Sequence, residues 1–180
     1  MILSDIANRY YKAVIFHSES RDLFAFLSFQ GFSALHEYQA VSEAREQTLL
    51  KKYIIETTGE YAHNNAPPNG NILDPILKGN KRFEISNPGE IVKAAWTEYR
   101  KWEAETLDYN ENAAFELMKR GDIAHFSKVQ EIIADVSEEL RTIENFITTY
   151  NAIEWDLTQI RAEQSEIEKE YNRKLRKVYR

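Results

Sequence analysis

Glu43 and Glu46 stand three residues apart in the run AVSEAREQ, residues 40–47. At 100° per residue on a helix, Phe32, Leu35, Leu50 and Tyr53 define an apolar stripe, and both acids fall within it. A later helical run has its stripe at Trp96, Tyr99, Leu107, Ala114 and Leu117, with Glu103 in its middle. A third, marked by Ile132, Val136, Ile143, Phe146 and Tyr150, encloses Glu139 and carries Asp135 at its edge. A lone buried carboxylate costs several kcal/mol, comparable to the stability margin of a whole domain. Protonation, a basic partner or a cation relieves that cost. The stripes supply few Lys or Arg. Carboxylates converging from separate helices in a bundle core form the type of site that holds Fe or Mn. The competing reading is an edge or paired position for each acid separately.

The elements that must position these acids are helices. The first covers roughly residues 4–18. The second runs from about 31 to 57, and its start is open as far back as Asp22 because RDLFAFLSFQ is itself a good helical segment. TTGEYAHNNAPPNGN stops it with a Gly and a Pro pair. Residues 59–89 form a long, turn-rich connection with a short helical piece near 73–77, and HNNAPPNGN within it reads as a solvated loop. The third helix follows SNPGE, from about 90 to 119, and KRGD breaks it at Gly121. Strand patterns are absent. Two short connections and one long one predict an all-α, four-helix bundle with a crossover that leaves the second and third long helices parallel. From Asp122 to the end there is neither Gly nor Pro, and apolar residues recur every three or four positions. An unbroken helix there would be ~90 Å long. Either it breaks near Asn151, or its end projects and packs on a partner. Residues 1–150 are therefore expected to form the bundle, and 151–180 a helical extension that contacts another copy or a protein partner.

The 180-residue chain has a net charge of −6 and no cysteine. Disulfides, zinc–thiolate sites and thiol chemistry are excluded. MILSDIANRYYKAVIF lacks the basic head and apolar block of a signal peptide. No run reaches ~18 consecutive apolar residues, so no membrane span is expected. The expected location is the cytoplasm. An acidic chain is a poor generic binder of nucleic acid. The terminal YNRKLRKVYR reads first as cations favoured at a helix C-terminus, ahead of a phosphate-contacting tail.

GFSALHEYQAVSEARE, YIIETTG, YRKWEAE and GDIAHFSKVQEIIADVSEEL together resemble the ferritin superfamily over residues 31–150. The resemblance implies a ferritin-like di-iron carboxylate bundle. Glu43 and Glu46 lie where ferritins carry Glu-x-x-His, so a carboxylate replaces the imidazole. Glu103 falls on the bridging or second-iron glutamate and Glu139 on a ferroxidase-site glutamate. Asp135 and Glu138 fall on neighbouring acids, and Val136 lies where some ferritins carry a Gln ligand. The first-helix glutamate falls on Tyr10. His17, two turns later on the same face, is either a ligand or a core histidine bonded to Glu103, and Glu19 becomes a candidate if the first turn differs in length. His36 and Glu37 are placed on a different face from Glu43, as surface or interface residues. The implied metal set is Glu43, Glu46, Glu103, Glu139, Asp135 and His17. The implied cofactor is Fe in a di-iron site, with Mn favoured too by the oxygen-rich donors. The implied partners are Fe²⁺, dioxygen or peroxide, and further copies in a homo-oligomer. The apparent lack of a break before a short last helix argues against a hollow cage. The alternative is a degenerate, metal-free bundle that serves as a structural or partner-binding module.

Overall fold

The computed structural model describes residues 2–60, 63, 73–78 and 85–179. Among the described residues six helices follow one another: α1 Ile2–Phe26, α2 Gln30–Thr58, α3 Asp74–Leu77, α4 Pro88–Lys119, α5 Ile123–Ala152 and α6 Leu157–Val178. Local chemistry sets most of their ends. Gly59 closes α2 in the left-handed region, at φ 70°, and its N–H bonds the carbonyl of Ile55. Asn87 caps α4 by accepting from the Glu90 N–H, with Pro88 in the first turn. Asp122 caps α5 through the His125 N–H. Asp156 caps α6 through the N–H groups of Thr158 and Gln159. HNNAPPNGN lies outside the described residues apart from His63.

Four long helices build the bundle. Antiparallel α1 and α2 are tied by Gln47 Nε2 donating to the Ala7 carbonyl at 3.1 Å and by Phe24 edge-on to Phe32. Antiparallel α4 and α5 are tied by the Arg100–Glu144 ion pair at 2.8 Å and by Trp96 against Phe146. Phe32 lies edge-on to Trp96 near the start of α2, and Ile54 and Leu117 share an apolar cluster near the other end. Thus α2 and α4 run parallel, as the long connection between them requires.

One boundary differs from the sequence expectation, and another resolves a choice it left open. The segment RDLFAFLSFQ does not begin α2. It finishes α1 as far as Phe26, and Ser28 then turns the chain at φ 62°. The uninterrupted last helix that argued against a cage is not formed, and the final stretch takes the expected course of a break near Asn151. It breaks after Ala152, where Glu154 and Trp155 take left-handed φ of 52° and 58°. The Trp155 ring packs on Tyr150 and its Nε1 donates to Asn151 at 2.8 Å, which holds the turn in place of a glycine. The last helix then lies along α2 instead of projecting. Ile160, Ile167 and Tyr171 join the core, and Gln164 Oε1 accepts the backbone N–H of Phe32 at 3.1 Å. Gly31 makes this approach feasible, since a Cβ there would stand 2.6 Å from the Gln164 carbonyl oxygen.

Apolar packing falls into two clusters along the bundle. One gathers Phe16, Phe24, Phe32, Leu35, Trp96, Tyr99, Ile143 and Tyr150. The other gathers Ile6, Ala7, Leu50, Ile54, Ala113, Leu117, Ile132 and Val136. In sequence, Tyr10, Glu43, Glu103 and Glu139 each fall between the residues their helix gives to the two clusters. The carboxylates form a polar layer between two apolar ones.

Candidate metal centre

A ring nitrogen of His17, an oxygen of Glu43 and an oxygen of Glu139 all lie within 4.8 Å of one another. Among the described residues this is the group of three or more such side chains close enough to share one ion. Three helices supply it: α1, α2 and α5. His17 is fully buried, whereas Glu43 and Glu139 are half-buried and line a cleft of about 350 Å³. Glu46, Glu138 and exposed Asp135 line the same cleft farther out.

The electrostatics are those of negative groups held close in a poor solvent. Burial, then the charges of Glu139 and Glu46, push the Glu43 carboxyl well above its ordinary range. Burial pushes Glu139 up to about 7, opposed by hydrogen bonds from Tyr99 and Gln39. The Tyr99 hydroxyl and Gln39 Nε2 both donate to Oε1 of Glu139, the latter at 2.5 Å. Burial lifts the Asp135 carboxyl too, with Glu138 adding to it.

Glu103 sits apart from this group. It is only 3% exposed, and its Oε1 has no hydrogen-bond partner among the described residues. Burial raises its pKa well above the ordinary range, and the charges of Glu139 and Glu43 add to the rise while Arg9 opposes it. It faces a small cavity of about 20 Å³ shared with Tyr10, Glu43 and Asn110. Glu43 therefore lines both the cleft and this inner cavity. A space of that size takes a single small species, an ion or a water.

Tyr10 stands beside the acids. Burial, then Glu43 and Glu46, raise its pKa, so the phenol keeps its proton and is not a replacement carboxylate. Two expectations for the histidines need correction. His17 is not bonded to Glu103: its Nδ1 lies 2.9 Å from Nδ1 of His36, and its Nε2 has no partner among the described residues. His36 is not a surface residue. It is 2% exposed and stacked on Phe24. A signal for it was present, because His36 precedes Glu43 by seven residues, two turns along the same stripe. Gln39 precedes Glu43 by four and Tyr99 precedes Glu103 by four, and by the same rule both share the face of the acid they precede.

The donor set passes a chemical test of fit to a first-row metal ion. It offers one imidazole and carboxylate oxygens, a mixture suited to Fe and Mn. It also contains two buried atoms, His17 Nε2 and Glu103 Oε1, that no group among the described residues satisfies.

No protein-family model and no curated protein matches the sequence. Among solved structures, the chain is similar to the open pore ferritin of the hyperthermophilic archaeon Archaeoglobus fulgidus, with a TM-score of 0.75 and 16% identity over 93% of this chain and 92% of that one. A closed form of the same ferritin, engineered by site-directed mutagenesis, gives the same values. A humanized archaeal ferritin matches with a TM-score of 0.77 and 15% identity over 93% of each chain. Likeness at such identity speaks for backbone architecture. The order of the helices, the parallel α2 and α4 and these superpositions agree that the chain has a ferritin-like, all-α four-helix bundle fold.

Proposed function

We propose that the chain binds Fe²⁺ through His17, Glu43 and Glu139 and oxidises it with dioxygen or peroxide, as a cytoplasmic homo-oligomer that stores the product where its copies enclose a cavity. The approach of His17, Glu43 and Glu139 to within 4.8 Å of one another carries this reading. Glu103, across Glu43 from that group, is proposed to hold a second ion, giving a di-iron arrangement. Mn is the other metal that the donor set suits. Glu46 and Asp135 line the cleft, and they are proposed to draw the cation inward ahead of the deeper donors.

Each Fe²⁺ gives up one electron to the oxidant, and oxygen-rich donors favour the harder Fe³⁺ that results. The chain's own residues prepare that preference. Glu43, Glu103 and Glu139 hold protons more firmly than ordinary carboxyls. A cation displaces those protons and takes over the neutralising of the layer. Tyr99 and Gln39 both hold one oxygen of Glu139, whose side chain lines the cleft.

Metal analysis of protein purified without chelator, followed by Fe²⁺ oxidation assays on the native chain and on Glu103→Ala, tests the proposal. Bound iron, with oxidation that the variant loses while its helical content remains, supports it. Native protein that retains neither iron nor manganese after incubation with either would overturn it.

One observation favours the second reading, a metal-free structural or partner-binding bundle. Tyr10 occupies the place where the resemblance puts the first-helix glutamate, and it keeps its proton there. On that reading the outward face of α6 is the proposed contact surface for another copy or partner.

A further inference from the structure

Two imidazoles meet in the core, with Nδ1 of His17 and Nδ1 of His36 2.9 Å apart. Burial holds both rings neutral, His17 well below its ordinary range and His36 down to about 3. A contact of that length between neutral imidazoles contains one proton, so one Nδ1 donates and the other accepts. The two assignments differ in what they leave over. If His36 donates, His17 carries its own proton on Nε2, a buried atom with no partner. If His17 donates, that Nε2 is an unused lone pair, and the proton of His36 sits on its own Nε2. The His36 Nε2 is not among the buried atoms that lack a partner. Orphaned buried N–H groups are rarer than orphaned acceptors, so the second assignment is the less costly.

We infer that His36 is a positioning residue whose Nδ1 accepts the Nδ1 proton of His17, fixing Nε2 of His17 as the bare lone pair of a ring that lies within 4.8 Å of Glu43 and Glu139. Phe24 stacks on the His36 ring at 5.3 Å and 11°, and Tyr99 closes another side at 5.2 Å, so the acceptor cannot swing away. A ring nitrogen that is to ligate must be free of its proton, and the bond made by the opposite nitrogen decides which one is. That consequence rests on the metal reading above. The tautomer itself is a property of the metal-free chain.

Long-range ¹H–¹⁵N correlation of the imidazoles in ¹⁵N-labelled, metal-free protein tests the assignment without any substitution. His17 is expected protonated on Nδ1 and His36 on Nε2, and the reverse pattern overturns the inference. Co²⁺ titration then compares the native chain with His36→Asn, whose Oδ1 can accept in place of Nδ1, and His36→Leu, which cannot accept. The Asn variant is expected within about 3-fold of native affinity, and the Leu variant weaker by about 10–100-fold. A folded Leu variant that binds as tightly as the native chain overturns the positioning role. Native protein that takes up no Co²⁺ removes the metal reading, and the tautomer pattern alone then decides.

Discussion

The Tyr99 hydroxyl on α4 donates to Oε1 of Glu139 on α5, and Gln39 on α2 donates to that same oxygen. Three helices thus hold one carboxylate oxygen, a fixed point at the inner end of the cleft. Tyr99→Phe removes one donor and leaves the buried carboxyl less well solvated. The Glu139 carboxyl is expected to rise above about 7, and the fold to lose about 1–2 kcal/mol. Carboxyl ¹³C titration and thermal unfolding measure the two effects, and an unchanged titration would refute the first.

Stability of the metal-free protein depends on pH through two opposing sets. Glu43, Glu103 and Glu139 have folded pKa values raised above an ordinary 4.5, so their contribution is complete below 4.5 and is lost as pH rises through the folded values, about 7 for Glu139. His17 and His36 have lowered values, so theirs is complete above 6.5 and is lost as pH falls towards 3. Above pH 6.5 only the carboxylate trend remains. Tm is expected to fall by several degrees between pH 6.5 and about 8, less steeply in Glu103→Gln. Calorimetry across that range checks it, and a flat profile in the native chain would count against the buried acids.

Saturating Mn²⁺ is expected to abolish that alkaline fall, because the cation takes the place of protons whose loss destabilises the layer. The same calorimetry, repeated with the metal present, reads this directly. A metal-insensitive slope would favour the metal-free bundle.

The candidate donors differ in depth, and substitution should expose the difference. His17→Gln and Glu43→Gln are expected to weaken Mn²⁺ binding at least about 10-fold, and Glu46→Gln by less than about 3-fold. Titration calorimetry ranks the three. Equal losses would place Glu46 in the inner set.

Gly31 offers a prediction about the fold alone. A Cβ there would stand 2.6 Å from the Gln164 carbonyl oxygen and 2.9 Å from Ile167 Cβ, so Gly31→Ala must push α6 away from α2. A loss of about 1–3 kcal/mol is expected, with proteolysis of α6 ahead of the bundle. Unchanged thermal unfolding would mean that this contact is looser than described.

The apolar periodicity was enough to predict the four long helices and the crossover. Gly59 and Gly121, at φ 70° and 71°, mark helix ends where glycine is expected. The end it concealed is the one at Ser28, a non-glycine residue in the left-handed region, and the break near Asn151 is made by Glu154 and Trp155 in the same region. At the site, the stripe rule placed Glu43, Glu103 and Glu139 inward, and the structure does the same. Glu103 is buried, whereas Glu43, Glu46 and Glu139 are all half-buried at the cleft. His36 was assigned to the wrong face although its seven-residue spacing from Glu43 argued otherwise. The His17–His36 bond was not legible at all, since helix periodicity fixes the faces of one helix and not its rotation against the next.

The backbone N–H of Phe32 finds its acceptor 132 residues later, in Gln164. On a ribosome, the first helical hairpin is complete long before that acceptor has been made. A nascent chain must therefore wait with this amide unsatisfied and the Phe29–Phe32 end of its core uncovered, until α6 has been made. A stop ahead of α6 would strand the chain in that unfinished state, even though every candidate donor had already been translated.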